Sequence, residues 1–348
     1  MKWRFAIAAL FAALAVAGCE SISYYSQAIG GQLSLFSRSR PVEDWLADPA
    51  TTPELRGRLL KARDIREFAS RRLGLPDNGS YHSYAQLDRP YVVWNVYAAG
   101  AFSVTAKQEC FPFAGCVSYR GFFSEADAQR HAEGLRKEGY DVYVGGVAAY
   151  STLGWFDDPL LSTFIGFSDT QLARLVFHEL AHQKVYAKND TMFNESFAVT
   201  VEEEGVRRWL EAGDRGAELA AFRAGQLRKR EFAARVRQTR ERLALLYQGN
   251  ISSEEKLQLK RGEFDRLRAD YPAIVPAEPN NAFLVSIALY TEMVPAFERL
   301  LAACNGDLNE YYRRAEKIGS LPKDERPSAL EKGTGAVAPG PAPHRRAS

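Results

Sequence analysis

The 348-residue sequence lacks three features, each of which would define a class of protein. It has no surplus of charge, since 45 Lys and Arg residues oppose 43 Asp and Glu residues. The electrostatic footprint that a nucleic-acid partner requires is therefore missing, and we expect no such partner. It has no apolar run long enough to span a bilayer comfortably. It also lacks the composition of collagen, a coiled coil or a disordered chain, because 46% of its residues are hydrophobic and 25% are charged.

The first residues have the pattern of a secretory signal peptide. Two basic residues precede an uninterrupted apolar run, Phe5 to Val16, that is too short for a transmembrane helix. The next residues, Val16-Ala17-Gly18-Cys19, resemble a bacterial lipoprotein lipobox; the alternative is an ordinary signal peptide with a chance cysteine. The resemblance implies that residues 1–18 are removed and that lipid on Cys19 anchors the chain to a membrane. Glu20 then implies an outer-membrane lipoprotein that faces the periplasm.

Cysteines are scarce, and only three follow Cys19 in the sequence. Disulfides persist outside the cytoplasm. Cys110 and Cys116 bracket the turn-like stretch Phe-Pro-Phe-Ala-Gly, so we interpret them as a candidate disulfide. Cys304 lies on an apolar helix face and is expected to be a buried thiol.

Hydrophobic periodicity divides the chain into a sheet-containing part and a helical part. The pattern predicts a helix over Leu55–Leu73, strands over Tyr91–Val104 and Tyr140–Tyr150, and between these strands a helix that Ser124 caps. In the second part, helices are predicted over Phe167–Ala187 (capped by Asp169 or Thr170), Phe193–Glu211, Ala217–Tyr247, Ser253–Asp270 and Ala282–Ala303.

These elements predict an α+β fold with a small sheet followed by a mostly helical body. We expect residues 19–319 to form a single domain, with the sheet in about 80–155 and the helices in 165–319. Residues 320–348 contain Pro, Gly, Ala and basic residues with little apolar content, which predicts a disordered tail.

The segment His178-Glu179-Leu180-Ala181-His182 carries the clearest chemical signal. Its histidines are spaced i and i+4, so both imidazoles lie on one face of a helix and can share a metal ion. Glu179 is rotated by about 100° from His178, so it can take a proton from a metal-bound water without binding the metal. The pentapeptide alone is equally consistent with two packed histidines and a surface glutamate.

A catalytic zinc site also needs a third protein ligand and an open fourth position. The next predicted helix begins Phe193-Asn194-Glu195-Ser196-Phe197-Ala198, and the link from Gln183 to Met192 can reverse the chain. Two antiparallel helices would then bring His178, His182 and Glu195 to one point.

Both segments resemble the gluzincin metallopeptidases, among them thermolysin and aminopeptidase N. The resemblance implies one zinc ion per chain, bound by His178, His182 and Glu195, with Glu179 as the general base. It rests on Asn-Glu-Ser-Phe-Ala around Glu195. The 13-residue gap from His182 to Glu195 is shorter than in those families. Glu202, which follows His182 by 20 residues, fits their spacing better and is the alternative ligand.

Over residues 19–320 the chain resembles the bacterial putative aminopeptidase family, through its stretches Cys110–Gly121, Tyr140–Gly154 and Pro279–Ala282. This resemblance implies peptide hydrolysis. Aminopeptidase N-type enzymes hold the substrate amine with a Gly-x-Met-Glu-Asn loop, and the sequence has none. Either another acid binds the amine or the enzyme is an endopeptidase.

The gluzincin resemblance also suggests where substrate binds. In those enzymes an edge strand pairs with the substrate backbone, and Gly145 to Ser151 is the candidate, because its glycine pair permits close approach. The alternative is a core strand. Related enzymes stabilise the oxyanion with a downstream Tyr or His, and Tyr290 is the candidate, unless it is only a packed helix residue. Its rivals are Tyr247, Tyr271, Tyr311 and Tyr312.

The sequence therefore predicts a zinc-dependent peptidase, an aminopeptidase by its family name, that cleaves peptides at the periplasmic face of an outer membrane. One alternative is a catalytically inactive envelope lipoprotein that acts as a scaffold or assembly factor. Another is a helix hairpin with two packed histidines and no metal.

Overall fold

The computed structural model describes residues 24–111 and 115–333. The predictions for the signal peptide, for Cys19 and for the last fifteen residues lie outside the described residues. Within the described ranges the chain is mostly helical with small sheets, which confirms the predicted α+β fold. No helix of these ranges is both long and apolar enough to cross a membrane.

Strands are confined to the first half of the described chain. The elements there are α1 (24–38), β1 (Ser39–Pro41), α2 (Val42–Ala47), α3 (Pro53–Leu73), β2 (Ser83–Ala85), β3 (Val93–Gly100), β4 (Glu109–Phe111), β5 (Gly115–Val117), β6 (Arg120–Phe122), α4 (Glu125–Lys137), β7 (Tyr140–Val147) and β8 (Leu160–Leu161). The second half contains α5 (Asp169–Lys184), α6 (Thr191–Ala212), α7 (Gly216–Gln248), α8 (Ser253–Asp270), α9 (Asn281–Thr291), α10 (Val294–Ala303), α11 (Leu308–Gly319) and α12 (Arg326–Gly333).

The sheet nearest the motif region has the order β6-β3-β7, and both pairings are antiparallel. β3 and β7 pair along their full length, from Val93 opposite Val147 to Gly100 opposite Tyr140. Successive side chains of β3 alternate between faces. Its Trp94 side packs against α4, and its Tyr97 side packs against α9. A helix therefore covers each face, and β7 is an edge strand of this sheet.

Helices α5 and α6 form the antiparallel pair that the sequence predicts. Ser168, one residue before the predicted cap, caps α5 through its side chain, and Asp190 caps α6. Only six residues separate the two helices, so the chain reverses tightly. Their close approach depends on Gly205, because a Cβ at that position would lie 2.8 Å from Cδ2 of Phe177.

Two predictions about the C-terminal region are wrong. The helix predicted over Ala282–Ala303 is two helices, since α9 ends at Thr291 and α10 begins at Val294. Pro295 lies in the first turn of α10, where its missing N–H costs nothing, whereas inside one continuous helix it would remove a hydrogen bond.

The predicted disordered tail begins too early, because α12 lies within it. Leu330 of α12 is buried in the main core, and Arg326 pairs with Asp190 at 3.0 Å. Both charged side chains are only 7% exposed. The C-terminal helix is therefore fastened to the start of α6.

Candidate metal centre

Three side chains from α5 and α6 converge at one point. His178 and His182 lie one turn apart on α5, and Glu195 lies in the second turn of α6. The Nε2 atoms of the two histidines are 3.1 Å apart. Oε2 of Glu195 lies 3.2 Å from Nε2 of His178 and 3.5 Å from Nε2 of His182. All three residues are buried, and their ligand atoms form a group that could hold a metal ion.

The triangle of these atoms has the size that a tetrahedral metal requires. Zinc binds nitrogen and oxygen ligands at about 2.0–2.2 Å, which places the ligand atoms of a tetrahedron roughly 3.3–3.6 Å apart. The three observed separations, 3.1, 3.2 and 3.5 Å, lie within or just below that range. The donor set of two imidazoles and one carboxylate is also one that zinc uses in catalytic sites. The residues therefore fit a single divalent ion.

Glu202 lies behind this triangle and contacts the other ring nitrogen of His178. Its Oε2 is 2.9 Å from Nδ1 of His178, and its Oε1 accepts a hydrogen bond from Nε of Arg174. Burial raises the pKa of Glu202, but Arg174 and His178 outweigh burial and lower it, so the group is ionised. An ionised carboxylate only accepts hydrogen bonds, so Nδ1 of His178 is the donor. Nε2, which faces Glu195 and His182, is then the ring nitrogen that would bind a metal.

This geometry separates the roles of the two glutamates that the sequence nominated as the third ligand. Glu195 faces both Nε2 atoms, whereas Glu202 faces Nδ1 of His178. Carboxylates in the position of Glu202 orient a metal-binding histidine and increase its basicity. Glu195 is the ligand that the geometry favours, although its spacing in the sequence is the less usual one.

The histidines and glutamates of the cluster shift each other's pKa values. Burial lowers the pKa of His178, but its hydrogen bonds to Glu195 and Glu202 outweigh burial and raise the pKa to about 10. Burial raises the pKa of Glu195, but the two histidines outweigh it and lower the pKa to about 2. A buried anion thus faces two imidazoles, and the space between them favours a cation. A metal ion there would replace the proton on His178.

Glu179 faces a cavity of about 480 Å³ together with His178, His182 and Glu195. Burial raises the pKa of the Glu179 carboxyl, although His178 and His182 lower it in part. A carboxylate with a raised pKa is a better proton acceptor at neutral pH. Glu179 therefore shares its cavity with the three candidate ligands, and its role as a general base stays a prediction.

Part of the predicted substrate strand lines the same cavity. The lining includes Val147, Ala149, Tyr150 and Ser151, but neither Gly145 nor Gly146. A Cβ at Gly146 would lie 2.3 Å from the ring of Tyr91, so packing inside the protein explains that glycine. Among the residues described, none forms a hydrogen bond with the backbone N–H or C=O groups of Ala149 and Tyr150. Tyr150 is partly exposed, whereas Ala149 is only 4% exposed.

Tyr290, the predicted oxyanion residue, lies beside the cluster. Its ring stacks on the ring of His178, with centroids 6.3 Å apart, and it lines the cavity. The rival tyrosines lie elsewhere. Tyr247 donates a hydrogen bond to Asn281, and Tyr311 stacks on Phe197 in the core. The catalytic role of Tyr290 stays a prediction.

The sequence analysis missed Tyr119, which also lines the cavity. Burial raises the pKa of Tyr119, and the charges of Glu195 and Glu179 raise it further, which reflects its closeness to both acids. Tyr119 follows β5, far from the motif in sequence. Its position depends on the sheet, so no local pattern could have identified it.

A hairpin that is closed by a disulfide forms one side of the same cavity. Cys110 and Cys116 are bonded, as expected, and the hairpin of β4 and β5 contributes Phe111 and Val117 to the lining. Asn189, in the link between α5 and α6, accepts a hydrogen bond from the backbone N–H of Cys116 at 2.7 Å. The hairpin is thus held against the helix pair.

The fold and the cluster define an α+β protein with a buried two-histidine, one-glutamate site suited to a divalent metal. The chain belongs to the family described as Putative aminopeptidase, whose model matches residues 23–330. Comparisons with curated proteins and with solved structures return no match.

Proposed function

We propose that the protein is a zinc-dependent peptidase, with His178, His182 and Glu195 as the metal ligands. The observation that carries this proposal is the triangle of two Nε2 atoms and one carboxylate oxygen, with edges of 3.1–3.5 Å, beside Glu179 in one cavity. The family name supports peptide hydrolysis. The gluzincin resemblance of the two motif segments supports zinc as the metal.

The roles of the surrounding residues follow from their positions. A zinc ion bound by the three ligands would lower the pKa of a water molecule and polarise the scissile carbonyl. Glu179 would accept a proton from the attacking water and pass it to the leaving amine. Glu202 keeps the proton of His178 on Nδ1 and orients the ring. Tyr290 or Tyr119 donates a hydrogen bond to the developing oxyanion.

The backbone beside the cavity provides a place for an extended substrate. The N–H and C=O groups of Ala149 and Tyr150 follow the edge strand β7 after a bend at Ala148, and no described residue forms a hydrogen bond with them. A peptide that pairs with them would pass the metal ligands in an extended conformation, as in other cases of strand addition. The predicted segment Gly145 to Ser151 therefore stays the proposed substrate strand, and residues 149–150 are the part of it that we propose to pair with the substrate backbone.

We also propose that the mature chain is anchored to the outer membrane by lipid on Cys19 and faces the periplasm. This proposal rests on the lipobox-like sequence, since Cys19 lies outside the described residues. In cell fractions, the wild type should sediment with membranes, whereas Cys19→Ser should appear in the soluble periplasmic fraction. Equal distribution of the two proteins would contradict the anchor.

The peptidase proposal is tested with a soluble form that starts after Cys19. The wild type and Glu179→Gln are compared on a broad peptide library, and the metal content of both is measured. We expect equal zinc content and loss of hydrolysis in the variant, because Glu179 is not a ligand. If the wild type with bound zinc cleaves no peptide, the inactive-scaffold alternative replaces the proposal.

A further inference from the structure

Resting on the proposed peptidase function, we infer that the site takes extended peptides with bulky apolar side chains and does not select a free α-amine. An enzyme that requires a free amine must neutralise an ammonium group close to the metal. A buried ammonium without a carboxylate partner is strongly unfavourable. Whether the site selects a free α-amine therefore depends on the acids and cations around the cavity.

The cavity offers no carboxylate for an ammonium group among the residues that the structure describes. Among the described residues, the acids that line it are Glu179 and Glu195. Glu195 is engaged by both histidines, and Glu179 is the proposed base. The residues between Phe111 and Gly115 are Pro, Phe and Ala, so they add no acid, whereas Glu20, four residues before Tyr24, lies outside the described residues. The nearby Asp158 is 3% exposed and accepts hydrogen bonds from the backbone of Thr152 and from Gln183.

Several neutral polar groups of the lining are already engaged within the fold. The side-chain amide of Asn194 donates to the carbonyl of Ala187 at 2.9 Å and accepts from its N–H at 2.7 Å. Thr191 accepts a hydrogen bond from the backbone N–H of Ser118 through Oγ1. These groups hold the cavity walls together, so they are poorly placed to replace a missing acid.

Two arginines lie against aromatic rings that line the cavity. The guanidinium of Arg120 lies 4.1 Å from the ring centre of Tyr24, and that of Arg89 lies 5.8 Å from the ring centre of Phe123. Both rings line the cavity. Arg120 has Glu109 at 3.9 Å, a loose ion pair that Glu109 shares with Lys107. The two arginines would repel a substrate ammonium, and Glu109 offsets the charge of Arg120 only in part because it also pairs with Lys107.

The aromatic lining of the cavity, here called the aromatic wall, suits an apolar side chain of a substrate. Aromatic rings bury large apolar areas, and pockets lined by them favour apolar or aromatic groups. Eight of the residues that the structure describes are aromatic and line this cavity: Tyr24, Tyr25, Phe111, Tyr119, Phe123, Tyr150, Tyr186 and Tyr290. We therefore expect a large apolar residue of the substrate to lie against this wall, while the substrate backbone pairs with residues 149–150.

The test uses the zinc-loaded soluble form and a matched set of synthetic peptides. One peptide has a central Phe and a free N-terminus, the second is its N-acetylated copy, and the third has Asp in place of Phe. We expect kcat/KM of the first two to agree within about threefold, with internal cleavage in both. Replacement of Phe by Asp should reduce kcat/KM at least tenfold, because one misplaced charge outweighs a few methylene groups of binding.

A substitution in the aromatic wall provides a second test of this inference. Tyr25→Ser should reduce the preference for Phe over Asp, whereas Leu245→Ser, at a 70%-exposed position on α7, should leave it unchanged. Cleavage of the free peptide alone, one residue at a time from its N-terminus, would overturn this inference and leave the peptidase proposal intact. Cleavage of none of the peptides would overturn both.

Discussion

Replacing Glu202 with Gln tests whether the carboxylate behind His178 supports metal binding. Glu202 contacts Nδ1 of His178 at 2.9 Å, and its side chain is only 3% exposed. A glutamine there must place an acceptor and a donor between two donors, Nδ1–H of His178 and Nε–H of Arg174. If its amide oxygen faces Arg174, the amide N–H₂ group faces His178 and drives the histidine proton to Nε2. That proton would occupy the metal-binding atom.

The expected effect is a 10- to 100-fold loss of zinc affinity, or about 1.4–2.7 kcal/mol. Affinity is measured by competition with a chromophoric chelator at fixed pH. The matched control is Glu204→Gln, two residues along the same helix, where the carboxylate pairs with Arg207 and Arg208. Circular dichroism verifies that both variants fold. A zinc affinity of Glu202→Gln within twofold of the wild type would refute the positioning role of this carboxylate.

Two predictions concern stability. Burial, and next the charge of Glu202, raise the pKa of Glu203 to about 7. As the pH rises from about 4.5 to 7, the unfolded state loses this proton first, and folding then becomes less favourable by up to about 3 kcal/mol. Urea unfolding should therefore find Glu203→Gln more stable than the wild type at pH 8 and equal to it at pH 4; a pH-independent difference would contradict the buried carboxyl. Arg326→Ala should destabilise by about 3–5 kcal/mol, since it leaves Asp190 unpaired in a buried site, whereas Arg313→Ala, at a 74%-exposed position, should cost little. Equal midpoints in thermal unfolding of the two arginine variants would show that α12 is not fastened through this pair.

Local patterns in the sequence predicted the helices that carry the centre. The i, i+4 histidines of α5 and the apolar periodicity of both helices are properties of neighbouring residues, so the pair follows from the sequence. The choice between Glu195 and Glu202 was harder, because both lie on one face of α6, seven residues apart. The six-residue link between the helices favours Glu195, since it brings the start of α6 opposite His182.

Other parts of the site depend on contacts between distant segments. Tyr119 reaches the cavity through the antiparallel sheet, and α1 reaches it from the other end of the chain. The helix α12 was missed for a related reason. Its composition resembles the rest of the tail, but Leu330 packs in the main core and Arg326 pairs with Asp190. Such contacts leave no periodic signal in the sequence.

The central claim is that His178, His182 and Glu195 hold one divalent ion. The most direct measurement is the metal content of the soluble form, purified without chelators, by mass spectrometry of the native protein and elemental analysis. We expect one zinc ion per wild-type chain and almost none in a folded His182→Ala variant. No bound metal in the wild type, or equal metal in both proteins, would contradict it.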